Sequence, residues 1–323
     1  MIVLTAAVPR AMAGSGAADT ARHTVEGLID LVTRLSDYLP LSPLATFIGI
    51  TCASFQITLS LALSKRAGIV PHGPWSELSL YTAHQLVALP LMIALAYFGF
   101  AGWFFGSETG NMDSATDRIF GADADPTYDL LLAIGSGAIL IWDIPTGFAS
   151  PPLRDVVMWL HHIGMFLVAS TMAGTYCEGN QTIGYYYAPF FFGVIELSSV
   201  FLTIMDVFHP KYKHYYRWLN SMDDSRRMKK VLHSCNEICR VSFAVTYLIF
   251  RGAYFPYVAF RGVVPDLREA YKIPPDTVPA WTGQFLIAAV SLFALLQAYW
   301  GLLVAKMVVK AVRGGGSSDK KED

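Results

Sequence analysis

Apolar residues along this chain fall in blocks of roughly twenty, separated by short breaks that are polar or rich in Pro and Gly. A helix rises about 1.5 Å per residue and the hydrocarbon of a bilayer is about 30 Å thick, so about 20 apolar residues make a crossing. Seven windows qualify, at 41–63, 79–104, 127–149, 156–175, 183–208, 239–260 and 283–308. The intervening breaks are Ser64–Ser79, Gly106–Pro126, Pro151–Asp155, Glu178–Thr182, His209–Asn236 and Arg261–Gly283. The pattern predicts an all-α, polytopic transmembrane helical bundle of about seven spans, occupying residues 41–310. Residues 1–40 read as a peripheral segment in which His23–Leu39 forms an amphipathic interfacial helix. Met1–Ala13 resembles a weak signal sequence, but it lacks a basic start and carries Arg10, so no cleavage is expected. Residues 311–323 have flexible-linker composition and read as a cytosolic tail. Neither a soluble domain nor an internal repeat is visible.

Composition agrees with immersion in lipid. Hydrophobic residues make up 54% of the chain and charged ones 15%, with a mean hydropathy of +0.41. A soluble chain carries about a quarter charged residues to cover its surface. A net charge of −1, with no phosphate-cradling glycine loop and no basic–aromatic ladder, argues against nucleic acid as a partner. Cys52, Cys177, Cys235 and Cys239 form no disulfide framework. Cys235 and Cys239 have no second ligand pair nearby, so no metal is expected and the four read as core or free thiols.

Basic residues set the orientation, because Lys and Arg collect on cytoplasmic loops. With seven spans, fourteen fall on the side of the C-terminal tail and seven on the other, which predicts a cytosolic C-terminus. The ending Lys320-Lys321-Glu322-Asp323 then reads as a dilysine retrieval signal, which points to the endoplasmic reticulum membrane. Asn180-Gln181-Thr182 is a glycosylation sequon on the opposite side, in a loop close to the membrane.

Polar groups inside the spans carry the chemistry, since each is costly there and needs a partner or a task. Counted from the span ends, His84, Asp143 and the pair His161-His162 lie about 8–9 Å inside the tail-side boundary, with Gln56 slightly deeper. Glu196 and Arg251 lie near mid-membrane, at matching depth. A buried guanidinium calls for a carboxylate, so these two are expected to pair, with Tyr247 and Tyr254 completing the hydrogen bonds of Arg251. Glu196, Ser199, Thr203 and Asp206 share one helical stripe, which reads either as a structural polar face or as the wall of a substrate cavity. Neighbouring residues on a helix point about 100° apart, so one of His161 and His162 is expected to line a cavity while the other bonds a neighbouring helix. Asp155, seven residues before His162, and Asp143 are the carboxylates in reach. A carboxylate–imidazole pair makes the ring a better base, as general-base or nucleophilic chemistry requires.

The stretch Arg154-Asp155-x-x-Met158-Trp159-Leu160-His161-His162-Ile163-Gly164, followed one hairpin later by Glu196-Leu197-Ser198-Ser199-Val200-Phe201-Leu202, resembles the TLC-domain family, which includes the ceramide synthases. The resemblance covers roughly residues 45–310. It implies a ring of six helices plus one more, enclosing a cavity for a long lipid chain. In the synthase branch the histidine pair catalyses acyl transfer from acyl-CoA to a long-chain base. The resemblance thus implies catalytic roles for His161 and His162; from their depth and spacing, Asp143 is expected to assist them and His84, Glu196, Ser199 and Arg251 to bind substrate. It implies no cofactor, with acyl-CoA as the co-substrate. Synthases carry an aspartate pair after the histidines, whereas Glu196-Leu197-Ser198 stands on the fifth span here, a pattern closer to the non-synthase branches.

Rival classes fit less well. A di-iron hydroxylase needs a battery of H-x-x-H-H boxes, and only His84, His161 and His162 lie in the spans. Signature motifs of seven-helix receptors are absent, as are the paired repeats or broken helices common in transporters. The sequence therefore points to an integral membrane protein of lipid metabolism or lipid homeostasis that takes a membrane lipid or long acyl chain. Two readings stay open: an N-acyltransferase-type enzyme, or a non-enzymatic regulator or sensor of phospholipid composition.

Overall fold

The first span begins where the sequence supplies a start signal. The Ser42 side chain accepts the Ala45 amide, and Pro43 fills the first turn, where no N–H is required. In the computed structural model, residues 41–106, 112–121, 126–208, 213–223 and 227–314 are described, with scattered positions between 26 and 39. The described positions from 26 to 36 are helical; Met1–Ala13 and the dilysine ending lie outside the described residues.

Ten helices follow in chain order: α1 (Pro43–Leu63), α2 (Pro74–Glu77), α3 (Ser79–Phe105), α4 (Ala115–Phe120), α5 (Thr127–Ala149), α6 (Val156–Met172), α7 (Tyr185–Val207), α8 (Lys213–Ser221), α9 (Arg227–Ala270) and α10 (Ala280–Arg313). No strand occurs among the described residues. Six of them, α1, α3, α5, α7, α9 and α10, are long and apolar enough to cross a bilayer, and α6 is a shorter apolar helix of 17 residues, at the lower limit for a crossing. Large apolar side chains such as Phe55, Ile57, Leu61, Tyr97, Leu292 and Leu295 stay exposed on the outer faces, the inverse of a soluble protein and the expected state of a surface wetted by lipid.

Six helices close a ring in the order α3–α7–α9–α10–α6–α5. The first span lies outside it, packed along both α3 and α5 across the seam where the ring closes. Small residues permit close helix crossings. A Cβ on Gly137 would overlap the Ala45 carbonyl of α1, and a Cβ on Gly99 would overlap the backbone of Gly193, so α1 meets α5 and α3 meets α7 backbone to backbone. Without a hydrophobic drive between helices in lipid, such small-residue crossings supply dispersion contact instead.

Prolines shape the spans further. In α5 and α9 the turns widen to π-helix at Ile134–Asp143, Tyr247–Tyr254 and Ala259–Val263. Each widened stretch ends in an amide bonded five residues back: Ile144 to Ile139, Phe255 to Phe250, Val264 to Ala259. Each of those amides directly precedes a proline, Pro145, Pro256 or Pro265. A proline ring collides with the carbonyl four residues earlier and offers no N–H, and an extra residue in the turn accommodates it. Asp143 and Arg251 both sit in these widened turns.

Candidate functional site

Between the ring helices lies a cavity of about 470 Å³. At its tail-side end it is lined by Leu153 in the α5–α6 connection and by Asp206 and Met307 in the last turns of α7 and α10; at its inner end it is closed by Leu95, Ile134 and Phe192. The structure brings His84, Asp143, His161, His162, Glu196, Ser199 and Arg251 together on the lining of this one cavity, with Thr203 and Asp206 continuing the α7 stripe.

Asp143 is the hub of the shallower tier. Its Oδ1 lies 2.9 Å from His84 Nε2, and its Oδ2 pairs with His162 Nδ1. An ionised carboxylate only accepts, so the nitrogens facing it carry the protons. In the neutral His162 ring this leaves Nε2 with the lone pair; the His162 side chain is 30% exposed where it lines the cavity. His161 is held differently. Its ring packs edge-on against Phe293 and Trp300 of α10, and its Nδ1 is buried with no hydrogen-bond partner. Contrary to the expectation that only one of the pair lines a cavity, both do, with ring centroids 5.6 Å apart. Leu160 and Ile163 take the lipid side of α6, so the 100° fan between the two histidines opens wholly inward. Asp155 is not the partner of either ring; its carboxylate accepts the Val157 and Met158 amides and caps α6.

Behind the histidines stands a polar chain that sequence depth alone did not reveal. Trp142 stacks on His84 with centroids 4.9 Å apart and a 23° tilt, and its indole N–H donates to Gln56 Oε1. Gln56 in turn donates to Thr146 Oγ1 at 3.0 Å, and Thr146 donates to the Trp142 carbonyl at 2.7 Å. The first span thus reaches the site through Gln56 although α1 lies outside the ring. The adjacency of Trp142 to Asp143 was the available signal.

The deeper tier is centred on Arg251, which pairs with Glu196 at 3.1 Å, as matched depths required. Its remaining partners differ from expectation. Nε donates to the Ile195 carbonyl at 3.0 Å and to Ser198 Oγ at 2.8 Å, and Nη2 also reaches Ser199 Oγ at 2.9 Å. Tyr247 instead donates to Gln297 at 2.6 Å, and Tyr254 accepts from Trp103 at 3.0 Å. The widened turn rotates residues on either side of Arg251 away from ideal i−4 and i+3 positions, so neither tyrosine follows the guanidinium.

At the opposite end, Arg118 of α4 grips Asp266 of α9 with two nitrogens, Nε at 2.5 Å and Nη2 at 2.7 Å, and Tyr187 donates to the same carboxylate. The hydrogen bonds to Asp266 hold the Arg118 guanidinium above its ordinary value. Asn180 of the sequon is exposed at this end, with a left-handed φ of 55°. All four cysteines are free thiols, and no cluster of metal-ligand side chains occurs among the described residues.

A ring of membrane helices around an internal cavity with paired imidazoles defines a class of integral membrane protein. The TLC-domain family model matches residues 74–306 of the 323, and the chain belongs to that family. No curated protein and no solved structure gives a significant match.

Proposed function

We propose that this protein binds a long acyl chain of a membrane lipid in the ring cavity and presents its polar end to the histidine tier. What carries this reading is the cavity's lining: the imidazoles and Asp143 near the tail-side end, the Glu196–Arg251 tier on the α7–α9 wall deeper in, and apolar Leu95, Ile134 and Phe192 at the inner end. From His84 to Leu95 is eleven residues of helix, about 16 Å, enough for most of a fatty acyl chain. The chemistry that suits this layout is acyl transfer. Nε2 of His162 takes the proton of an attacking amine as its nitrogen bonds to the acyl carbonyl carbon; the thioester C–S bond breaks, and the departing coenzyme A thiolate receives that proton. Asp143 holds the ring in the tautomer that exposes Nε2, and His161 stands one centroid spacing away to hydrogen-bond the ligand. A cytosolic tail is supported by the basic bias of the loops.

A second reading, a non-enzymatic regulator of phospholipid composition, is favoured by Glu196-Leu197-Ser198 where the synthase branch carries an aspartate pair. One experiment separates them. Purified protein incubated with acyl-CoA and an amine acceptor should release coenzyme A, and His161→Ala and His162→Ala should abolish the release. If the parent shows no turnover yet retains a fluorescent fatty acyl probe, the regulator reading holds. If it does neither, both fail.

A further inference from the structure

Met165 of α6 and Phe192 of α7 line the ring cavity and also a second, smaller void of about 30 Å³ beyond its inner end. Of the described residues, only these two are shared between the spaces. The void is otherwise walled by apolar groups such as Val168, Met172 and Phe293, and its one hydroxyl, on Tyr187, is committed to Asp266.

Helix periodicity makes the void a continuation of the cavity. On α6 a single stripe at three- and four-residue spacing runs from Met158, His161 and Met165 in the cavity to Val168 and Met172 in the void. Met165 to Met172 is seven residues, about 10 Å, so the void prolongs the cavity toward the opposite membrane face. Phe192 stands between the two with 3% of its surface exposed. Its ring rests on Gly135 of α5, where a Cβ would come within 2.6 Å of Cδ1, so the bare backbone of α5 is what seats it. Interiors keep few voids, because the groups around one lose dispersion contacts. Here one lies directly behind the ring that closes the cavity.

We infer that Phe192 and Met165 form a partition that sets the length of acyl chain this protein accepts, the methyl end of the chain stopping against them. The inference rests on the acyl-chain reading of the ring cavity. A chain leaving lipid for the cavity gains no hydrophobic energy, so fit selects it. Too short a chain leaves cavity unfilled and too long a chain presses on the ring, which gives binding an optimum length.

Purified full-length protein in detergent, offered an equimolar mixture of saturated fatty acids in even-carbon steps, tests this, with the retained acids counted by mass spectrometry. The parent should keep a narrow range, the next longer acid being disfavoured about tenfold. An extended chain advances about 1.3 Å per carbon, as a C–C bond near 1.5 Å dictates. Phe192→Ala opens the partition, so the favoured length should rise by about two to eight carbons, the upper figure filling the whole distance to Met172. Met165→Ala should shift it the same way, which keeps the test open should one variant fail to fold. Phe191→Ala enlarges only the second void and should leave the favoured length where it is. A favoured length that both opening variants leave unchanged, or that Phe191→Ala shifts equally, would overturn the partition while the acyl-chain reading stands. Retention without regard to length in the parent would overturn it as well. Retention of no fatty acid at all would sink the acyl-chain reading and this inference together.

Discussion

Two arginine–carboxylate pairs sit in opposite halves of this molecule and are built in opposite ways. Arg118 clamps Asp266 through two nitrogens, Tyr187 caps the same carboxylate, and no lining of the ring cavity includes any of the three. Arg251 gives only one nitrogen to Glu196, shares that nitrogen with Ser199 and gives Nε to Ser198 and the Ile195 carbonyl, and Arg251, Glu196, Ser198 and Ser199 all line the cavity. A bidentate fork fixes geometry, and the third nitrogen, Nη1, is taken by the Met112 and Asp113 carbonyls at 2.8 and 3.3 Å, so this guanidinium is spent on protein partners. A dispersed set leaves polar surface facing open space, where a ligand can join it. The first arrangement joins α4 to α9; the second furnishes a cavity. Charge inside a membrane protein thus declares its role by how its hydrogen bonds are distributed.

The comparison breaks most visibly at the Arg118 clamp. Asp266→Asn removes the counter-charge of a guanidinium that is only 25% exposed and leaves it the Met112 and Asp113 carbonyls alone, and it should cost about 3–5 kcal/mol. Thermal unfolding in detergent measures this, and the folded fraction should still take up an acyl probe. Unaltered melting would show that the clamp holds nothing.

At the deeper tier of the cavity the same kind of change should cost less. Glu196→Gln leaves Arg251 its serine and carbonyl acceptors, so a loss of about 3 kcal/mol, the lower end for a broken buried pair, is expected. Acyl-probe affinity should fall with it, which the Asp266 variant does not share. A Glu196→Gln protein that binds the probe like the parent would erase the distinction between the two pairs.

The histidine tier sharpens the contrast by separating stability from action. His162→Ala should lower acyl transfer by at least about a hundredfold, while its melting point stays close to that of the parent. Asp143→Asn should follow it, because an amide lets the imidazole adopt the wrong tautomer. Loss of stability without loss of turnover in either variant would reassign the Asp143 hub to architecture.

Much of this was legible in the chain. Span length, spacing and the matched depths of Glu196 and Arg251 follow from a helix's fixed rise and the cost of charge in hydrocarbon, and those rules need no neighbours. The grouping of His84 with His161-His162 and Asp143 came from depth as well. Rotation about the helix axis was not legible, because widened turns at Pro145, Pro256 and Pro265 shift the angular phase of everything near them. That is why Tyr247 and Tyr254 were misassigned to Arg251. Partners between helices, such as Gln56 for Trp142 and Arg118 for Asp266, depend on which helices adjoin, and periodicity within one helix carries no such information.

The smallest effect belongs to a third ion cluster, at the tail-side surface, where burial is removed from the comparison. Glu77 of α2 accepts from His214 of α8 at 2.5 Å and from Lys65 at 3.3 Å, while Trp75 meets Trp218 edge-on at 5.5 Å and Thr82 bonds Tyr215 at 2.8 Å. The His214 hydrogen bond, then Lys65, holds the Glu77 carboxyl below its ordinary value. A depressed carboxyl lends its attachment energy in full above the ordinary glutamate pKa of about 4.3, and that energy disappears as pH falls through the lower folded value. The α2–α8 clasp should therefore be intact at neutral pH and loosen only below about pH 4. Because the cluster is exposed and screened, loosening stays local. Hydrogen exchange of residues 213–221, corrected for intrinsic rate, should rise about two- to threefold in acid, and Glu77→Gln should show that rise already at neutral pH. Salt should mimic part of the same change, unlike at either buried pair. Exchange that is flat with pH in the parent and unaltered by Glu77→Gln would mean the aromatic contacts alone hold α8, with the carboxylate a bystander.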